Sequence, residues 1–267
     1  MNFERRFGGI ARLYGESALQ RFCAAHVVVA GIGGVGSWAA EALARSAIGH
    51  FTLIDLDHIA ESNTNRQIHA LEGEYGKAKV TAMAQRIRAI NPACQVTEID
   101  DFVTPENLEA LLPPTGKFDY VVDAIDNVRA KAALIAYCRN KRIPIITAGG
   151  AGGRRDPTCI RVDDLSRTQQ DALASKVRAL LRKEHGFPRD LKQKFDVECV
   201  FSVELAARPE GAGQACDPEQ VTALAGLSCA GYGSSVAVTA SFGLAAAARV
   251  LAGILRACSQ LGDECER

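Results

Sequence analysis

No two of the nine cysteines stand in a C-x-x-C pair. A structural zinc site is usually built on such pairs, and a secreted disulfide framework is denser and shorter, so no zinc is expected. Reduced thiols in a cytoplasmic protein fit the pattern. Charge of one sign is also missing, since 31 Lys and Arg residues balance 31 Asp and Glu. Any contact with nucleic acid must then come from a local patch, not from the field of the whole molecule. Met1–Tyr14 carries Arg5, Arg6 and Arg12 but no continuous apolar segment, so it does not read as a signal peptide. Internal repeats and low-complexity tracts are absent too. One stretch lacks charge altogether: residues 221–248, long enough to span a bilayer. Its Gly, Ser and Ala content favours a buried or dimer-interface helix over membrane contact.

What is present centres on residues 26–57. An apolar run from His26 to Ala30 meets Gly31-Ile32-Gly33-Gly34-Val35-Gly36, a helical pattern opens at Ser37, and a second apolar run, Phe51 to Ile54, ends on Asp55. Glycines let a backbone turn tightly and approach a phosphate, and the free amides and dipole of a helix start favour its negative charge. Asp55 lies where a carboxylate accepts from a ribose. This region is expected to bind a nucleotide.

Alternation continues along the chain. Glu16–Ala24 reads as a short helix, residues 62–67 as a polar loop, 77–90 as a helix ended by Asn91-Pro92, and 95–99 as a strand. Pro105 opens a short helix to Leu112; 118–124 is a strand, 128–141 a helix and 143–147 a strand. Strands and helices at this spacing predict an α/β fold, a doubly wound Rossmann-like parallel sheet. Past Thr147 the rhythm changes, so residues 1–150 are expected to form the nucleotide-binding domain and 151–267 an extension packed on it. The extension begins with a glycine turn at 149–153 and a strand at 158–162 that leaves the first sheet. A basic helical insertion follows, periodic over 169–185, then a strand at 199–205, a mobile loop at 210–219 and an apolar closing helix at 234–255.

Three features bear on the chemistry. Asn63, Asn65, Arg66 and Gln67 follow Asp57, and Lys79 lies on the next helix. Two cations and amides at one edge of the site suit a triphosphate, whose β- and γ-phosphates must be held and whose pyrophosphate must be neutralised. At the end of the fourth strand stand Asp123, Asp126, Asn127 and Arg129. An acid beside a polyphosphate calls for Mg2+ between them, so Asp126 is the metal-ligand candidate, with Asp123 read as a cap on the following helix. Third, Lys176 to Lys194 carries Lys176, Arg178, Arg182, Lys183, Arg189, Lys192 and Lys194 against Glu184 and Asp190 alone. That element is a solvated helix face or a phosphate-binding patch.

In order, G-x-G-G-x-G, D-x-D, N-x-N-R-Q, K and D-x-x-D-N-x-x-R resemble the adenylating domain of the E1-like superfamily, which includes ubiquitin-activating enzymes and the adenylyltransferases of molybdopterin and thiamin biosynthesis. The resemblance implies ATP and Mg2+, with Gly31, Gly33, Gly34, Gly36, Asp55, Asp57, Asn63, Asn65, Gln67 and Asn127 around the nucleotide. Arg66 and Lys79 would hold its phosphates and Asp126 the metal, these three being catalytic. A symmetric homodimer is implied, with an arginine lent across it; Arg6 and Arg12 are the candidates, although RRFGGIARLYG departs from the usual R-x-x-R-Q.

The lack of zinc pairs, together with R-F-G-G-I-A-R-L-Y-G, N-T-N-R-Q-I-H-A, D-D-F-V-T-P, K-A-A-L-I-A-Y-C-R, G-G-A-G-G-R-R-D-P-T and C-V-F-S, looks like one branch of it, the tRNA threonylcarbamoyladenosine dehydratases. That similarity implies ring closure on a modified adenosine next to the tRNA anticodon through an acyl adenylate. Arg154, Arg155, Lys176, Arg178, Arg182 and Lys183 then become candidates for tRNA contact. Cys199 and Cys229 stand open as thioester formers, as do a monovalent cation at the glycine-rich regions and sulfur-relay accessory proteins. The rival readings are an adenylyltransferase for the C-terminus of a small ubiquitin-like sulfur carrier and, from another class, a nicotinamide dehydrogenase or nucleotide sensor.

Overall fold

The computed structural model describes residues 2–113, 116–207 and 232–265, with side chains as far as residue 256. The loop expected at 210–219 and Cys229 lie outside the described residues. Seven strands form one sheet: β1 (His26–Ala30), β2 (His50–Ile54), β3 (Gln95–Ile99), β4 (Tyr120–Asp123), β5 (Ile145–Ala148), β6 (Ile160–Asp164) and β7 (Glu198–Ser202). Their order is β3-β2-β1-β4-β5-β7-β6. Every neighbouring pair is parallel except β6 with β7. The central strands HVVVA and YVVD are β-branched runs with nearly every residue buried, as a parallel strand covered on both faces requires.

The sequence predicts that residues 158–162 leave the first sheet, and here the structure differs. After a turn at Pro157–Cys159, β6 returns antiparallel along β7 and forms the edge of the same sheet. Its burial alternates, since an edge strand is covered on one side only. A second difference is α5, which spans only Leu108–Leu111, because Asn107 folds its side chain back onto the amide of Thr104 and ties the preceding residues into a turn.

Helices α2 (Glu16–Ala24), α3 (Gly36–Arg45), α4 (Lys79–Ile90) and α8 (Val236–Cys265) cover one face, burying Val27, Val29, Phe51, Leu53 and Val122. On the other lie α5, α6 (Val128–Lys141) and α7 (Ala172–Glu184), over Val28, Ala30, Val121 and Cys199. Helix α1 (Phe3–Tyr14), which the sequence reading leaves undefined, packs Phe7 and Ala11 on Leu19 and Ala47. Of the uncharged run 221–248, the described helical part belongs to α8. Val236–Arg256 is long and apolar enough to cross a bilayer, yet half of its most apolar window is buried inside the fold. Val238, Phe242, Ala246, Val250 and Ile254 make that inner side, each large side chain adding about 1.5–3 kcal/mol by burial.

Candidate nucleotide site

Between β1 and β4 the strand order reverses, and the loops leaving the carboxyl ends of β1, β2 and β4 meet there. Such a switch point is where open parallel sheets bind ligands. Gly31 adopts φ +87°, and a Cβ on it would lie 2.8 Å from the Ala124 carbonyl oxygen. Gly34 is enclosed by Arg66 Cγ at 3.2 Å and Thr239 Cβ at 3.4 Å from the place a Cβ would take. A side chain at Gly36 would overlap the Gly31 carbonyl. At Gly31 and Gly36 the loop therefore admits only glycine, and α3 starts from it with Ser37 Oγ buried and unpartnered among the described residues.

Asp55 closes the far side of this loop. Its carboxylate accepts from the amides of Ile32 at 2.6 Å and Asp57 at 2.9 Å. Burial raises its pKa, against the pull of Lys79 and of the two amides. Lys79 is itself buried, with Nζ 2.6 Å from Asp57 Oδ2 and 3.8 Å from Asp55 Oδ1. Two carboxylates thus hold one ammonium at the lip of the glycine loop. Arg66 lies over Gly34 and donates to the Ser62 carbonyl at 2.9 Å and to Asn65 Oδ1 at 3.0 Å. Trp38 Nε1 fixes the Arg66 carbonyl at 2.9 Å.

Several expected ligands have other work. Asn63 uses its side-chain oxygen on the Ala60 amide, and Asn65 donates to the Ser234 carbonyl at 2.8 Å. Gln67 is buried, and its Oε1 has no partner among the described residues. His69, which the sequence reading holds only within a quoted motif, is 3% exposed, and neither ring nitrogen has a partner among the described residues. Burial, then Lys79 and Arg86, push its pKa down to about 4. Nothing local in the sequence marks it, because its burial is set by the fold around the loop.

Asp123 is not the helix cap. It is fully buried at the end of β4, where Lys131 Nζ donates to it at 2.8 Å and Thr147 Oγ1 at 2.7 Å. Its other oxygen accepts from the Ile125 amide at 3.1 Å. The cap is Asn127, which accepts from the amides of Arg129 and Ala130. The side-chain oxygen of Asn127, expected near the nucleotide, thus serves the helix. A lone Lys131 inside the apolar run of α6 was the readable sign of a buried ion pair. Asp126 stands on the same turn. No group of three His, Cys, Asp or Glu among the described residues is placed to hold a metal. That donor set still suits Mg2+, which is bound by one or two carboxylates plus substrate phosphates and keeps several waters.

The basic residues divide. Arg154 is buried, donating to the carbonyls of Ser202 and Gln170 at 2.9 Å each, with Asp171 at 3.6 Å. It cannot meet a tRNA, and burial lowers its pKa. Arg178 turns in to Thr168, and Arg182 lies over the Phe195 ring and donates to the Pro188 carbonyl. Arg178 thus ties α7 to the segment before it, and Arg182 ties it to the segment after it. Lys176, Lys183 and Arg155 remain exposed, as do Arg189, Lys192 and Lys194. Arg6 donates to the last carbonyls of α4, at 2.6 Å to Ile90, so it is occupied within its own chain. Arg12 is exposed. Cys199 is wholly buried and burial pushes its thiol pKa up, which disfavours the thiolate that a thioester route needs.

The chain is similar over nearly its whole length to known proteins. The tRNA threonylcarbamoyladenosine dehydratase of Escherichia coli (strain K12) is 51% identical over 262 residues, 97% of each chain. The dehydratase of the same name from Haemophilus influenzae is 48% identical, covering 96% of this chain and 95% of its own. A crystal structure of the E. coli enzyme, TcdA, in complex with ATP superposes with a TM-score of 0.86 at 50% identity, again over 97% of each chain. The match to the ThiF family runs over residues 7–262, and the chain belongs to that family.

Proposed function

We propose that this protein is an ATP-dependent dehydratase that closes the ring of N6-threonylcarbamoyladenosine in tRNA, next to the anticodon. The observation that carries the reading is the buried Lys79 held by Asp57 and Asp55 at the lip of the glycine loop. A nicotinamide site has little use for that ammonium, whereas a triphosphate can draw it away from Asp57. The full-length likeness to the dehydratases, second half included, favours tRNA over a carrier-protein tail as the partner. The same likeness supports a cytoplasmic reaction.

The threonyl carboxylate is a poor electrophile until one of its oxygens becomes part of a leaving group. Attack on the α-phosphate forms a carboxylate–phosphorus bond, breaks the link to the β-phosphate and releases pyrophosphate. The carbamoyl group of the same nucleoside then attacks the acyl carbon, AMP leaves, and the net loss from the nucleoside is one water. Holding both groups in one molecule supplies the effective concentration, so little general-base help is needed. Glycine-loop amides and the start of α3 receive phosphate oxygens, Asp55 the ribose, and Lys79 with Arg66 the charge that develops on pyrophosphate. Asp126 would hold Mg2+, which neutralises phosphate charge when bound. Exposed Lys176, Lys183 and Arg155 meet tRNA phosphates, and Arg12 is the arginine left to act across a homodimer.

Purified protein incubated with magnesium-ATP and tRNA bearing threonylcarbamoyladenosine should convert that nucleoside to a species lighter by one water. Pyrophosphate release with a small carrier protein, and none with tRNA, would sink the assignment. Light scattering of the pure protein tests the dimer directly.

A further inference from the structure

Helix α8 reaches the nucleotide loop from the far end of the chain. A Cβ at Gly243 would lie 2.5 Å from the Val35 carbonyl oxygen, 2.8 Å from the Ala39 amide nitrogen and 2.9 Å from Trp38 Cβ. Those first two atoms form the opening hydrogen bond of α3, Ala39 N to Val35 O at 3.0 Å. One turn earlier on α8, Thr239 packs on Gly34, and just ahead of the helix the Ser234 carbonyl accepts from Asn65. So the glycine loop is backed by α8 where its amides must face a phosphate. Backbone atoms cannot swing aside as a flexible side chain would, so a methyl group at Gly243 must lift α8 or tilt the start of α3.

We propose that Gly243 is a positioning residue for the nucleotide: its missing side chain seats α8 on the first turn of α3 and keeps the phosphate loop in its binding form. The inference rests on the reading of residues 31–36 as a nucleotide loop. Gly253 supplies a built-in control. It lies on the same helix, and a Cβ there would overlap the ring of Tyr120 on β4, at the other end of that strand from Asp123. Both positions are overpacked by alanine, but only one touches the loop.

Trp38 is the single tryptophan of the chain, and it sits between Gly243 and the Arg66 carbonyl. Its fluorescence therefore reports on the loop itself. Titrating wild type, Gly243→Ala and Gly253→Ala with magnesium-ATP should show affinity weakened about tenfold or more by Gly243→Ala and changed less than about twofold by Gly253→Ala. The nucleotide-free emission of Trp38 should shift in Gly243→Ala alone, and melting temperatures should fall in both. Equal ATP affinities in the two variants would overturn the proposal, as would a loss of affinity shared equally between them. Should Gly243→Ala fail to fold, Thr239→Gly provides the second reading: removing the Cβ that faces Gly34 should weaken ATP binding without overpacking, and unchanged affinity there would overturn the proposal. Absence of any ATP binding by the wild-type protein would instead refute the nucleotide reading on which the inference rests.

Discussion

The nucleotide cleft and the basic element around α7 both concentrate charge, and they handle it in opposite ways. In the cleft, Lys79 is buried between two carboxylates at the lip of the glycine loop, where we propose that it serves a phosphate. Around α7, the half-buried Arg178 and Arg182 hold chain segments, as the buried Arg154 does nearby, while Lys176 and Lys183 stay exposed. Burial alone therefore does not sort functional from structural charge. The surroundings do: Lys79 borders an open lip, whereas Arg154 is closed in by carbonyls and Asp171.

The largest effect should come from breaking the structural side of this contrast. Arg154→Ala leaves Asp171 buried without its cation and should cost about 3–5 kcal/mol of stability, read from denaturant unfolding. A loss below about 1 kcal/mol would mean that Arg154 is no more than a surface residue. Next comes Lys79→Ala, expected to lower turnover about 100- to 1,000-fold while the fold survives. Single-turnover pyrophosphate release checks it, and near-normal turnover would return Lys79 to the structural class.

His69 sharpens the comparison through pH. Its folded pKa of about 4 lies below its ordinary 6.5, so between those values the unfolded chain binds more protons and stability rises with pH. Stability should fall as pH drops from 6.5 towards 4, by no more than about 3 kcal/mol, and His69→Leu should flatten that segment of the curve. Measuring unfolding free energy at several pH values across the window decides it. The smallest effect on the protein itself belongs to Lys176→Ala and Lys183→Ala, whose melting temperatures should stay put. Each should still reduce the salt slope of tRNA binding by about one. An unchanged slope would remove both from the interface.

Much of this was legible because it is local. The run HVVVA, the glycines behind it and Asp55 declare strand, turn and strand end by residue type and spacing alone, and α6 begins and ends at the expected residues. Direction and burial were not. Nothing within residues 160–164 says that they pair antiparallel on the sheet in which the preceding strands run parallel. Asp123 reads as the helix cap and Asn127 as a nucleotide contact, whereas Asp123 is paired with the buried Lys131 and Asn127 caps the helix. Arg154 and Arg155 are adjacent and alike in chemistry, yet one is enclosed and the other exposed, a difference made by β7 and the start of α7.

The seat of α8 on α3 has a consequence for how the molecule comes into being. Residues 36–45 pack against a helix that begins at residue 236, so the side of α3 and the part of the sheet face that α8 covers stay open until nearly the whole polypeptide has been made. Contacts spanning about 200 residues close late, after much loop entropy has been lost. While the chain is still emerging from the ribosome, the apolar groups destined for α8 have only water or a chaperone to meet. A nascent chain arrested before Val236 should therefore be captured by hydrophobic-surface-binding chaperones and released once α8 is complete.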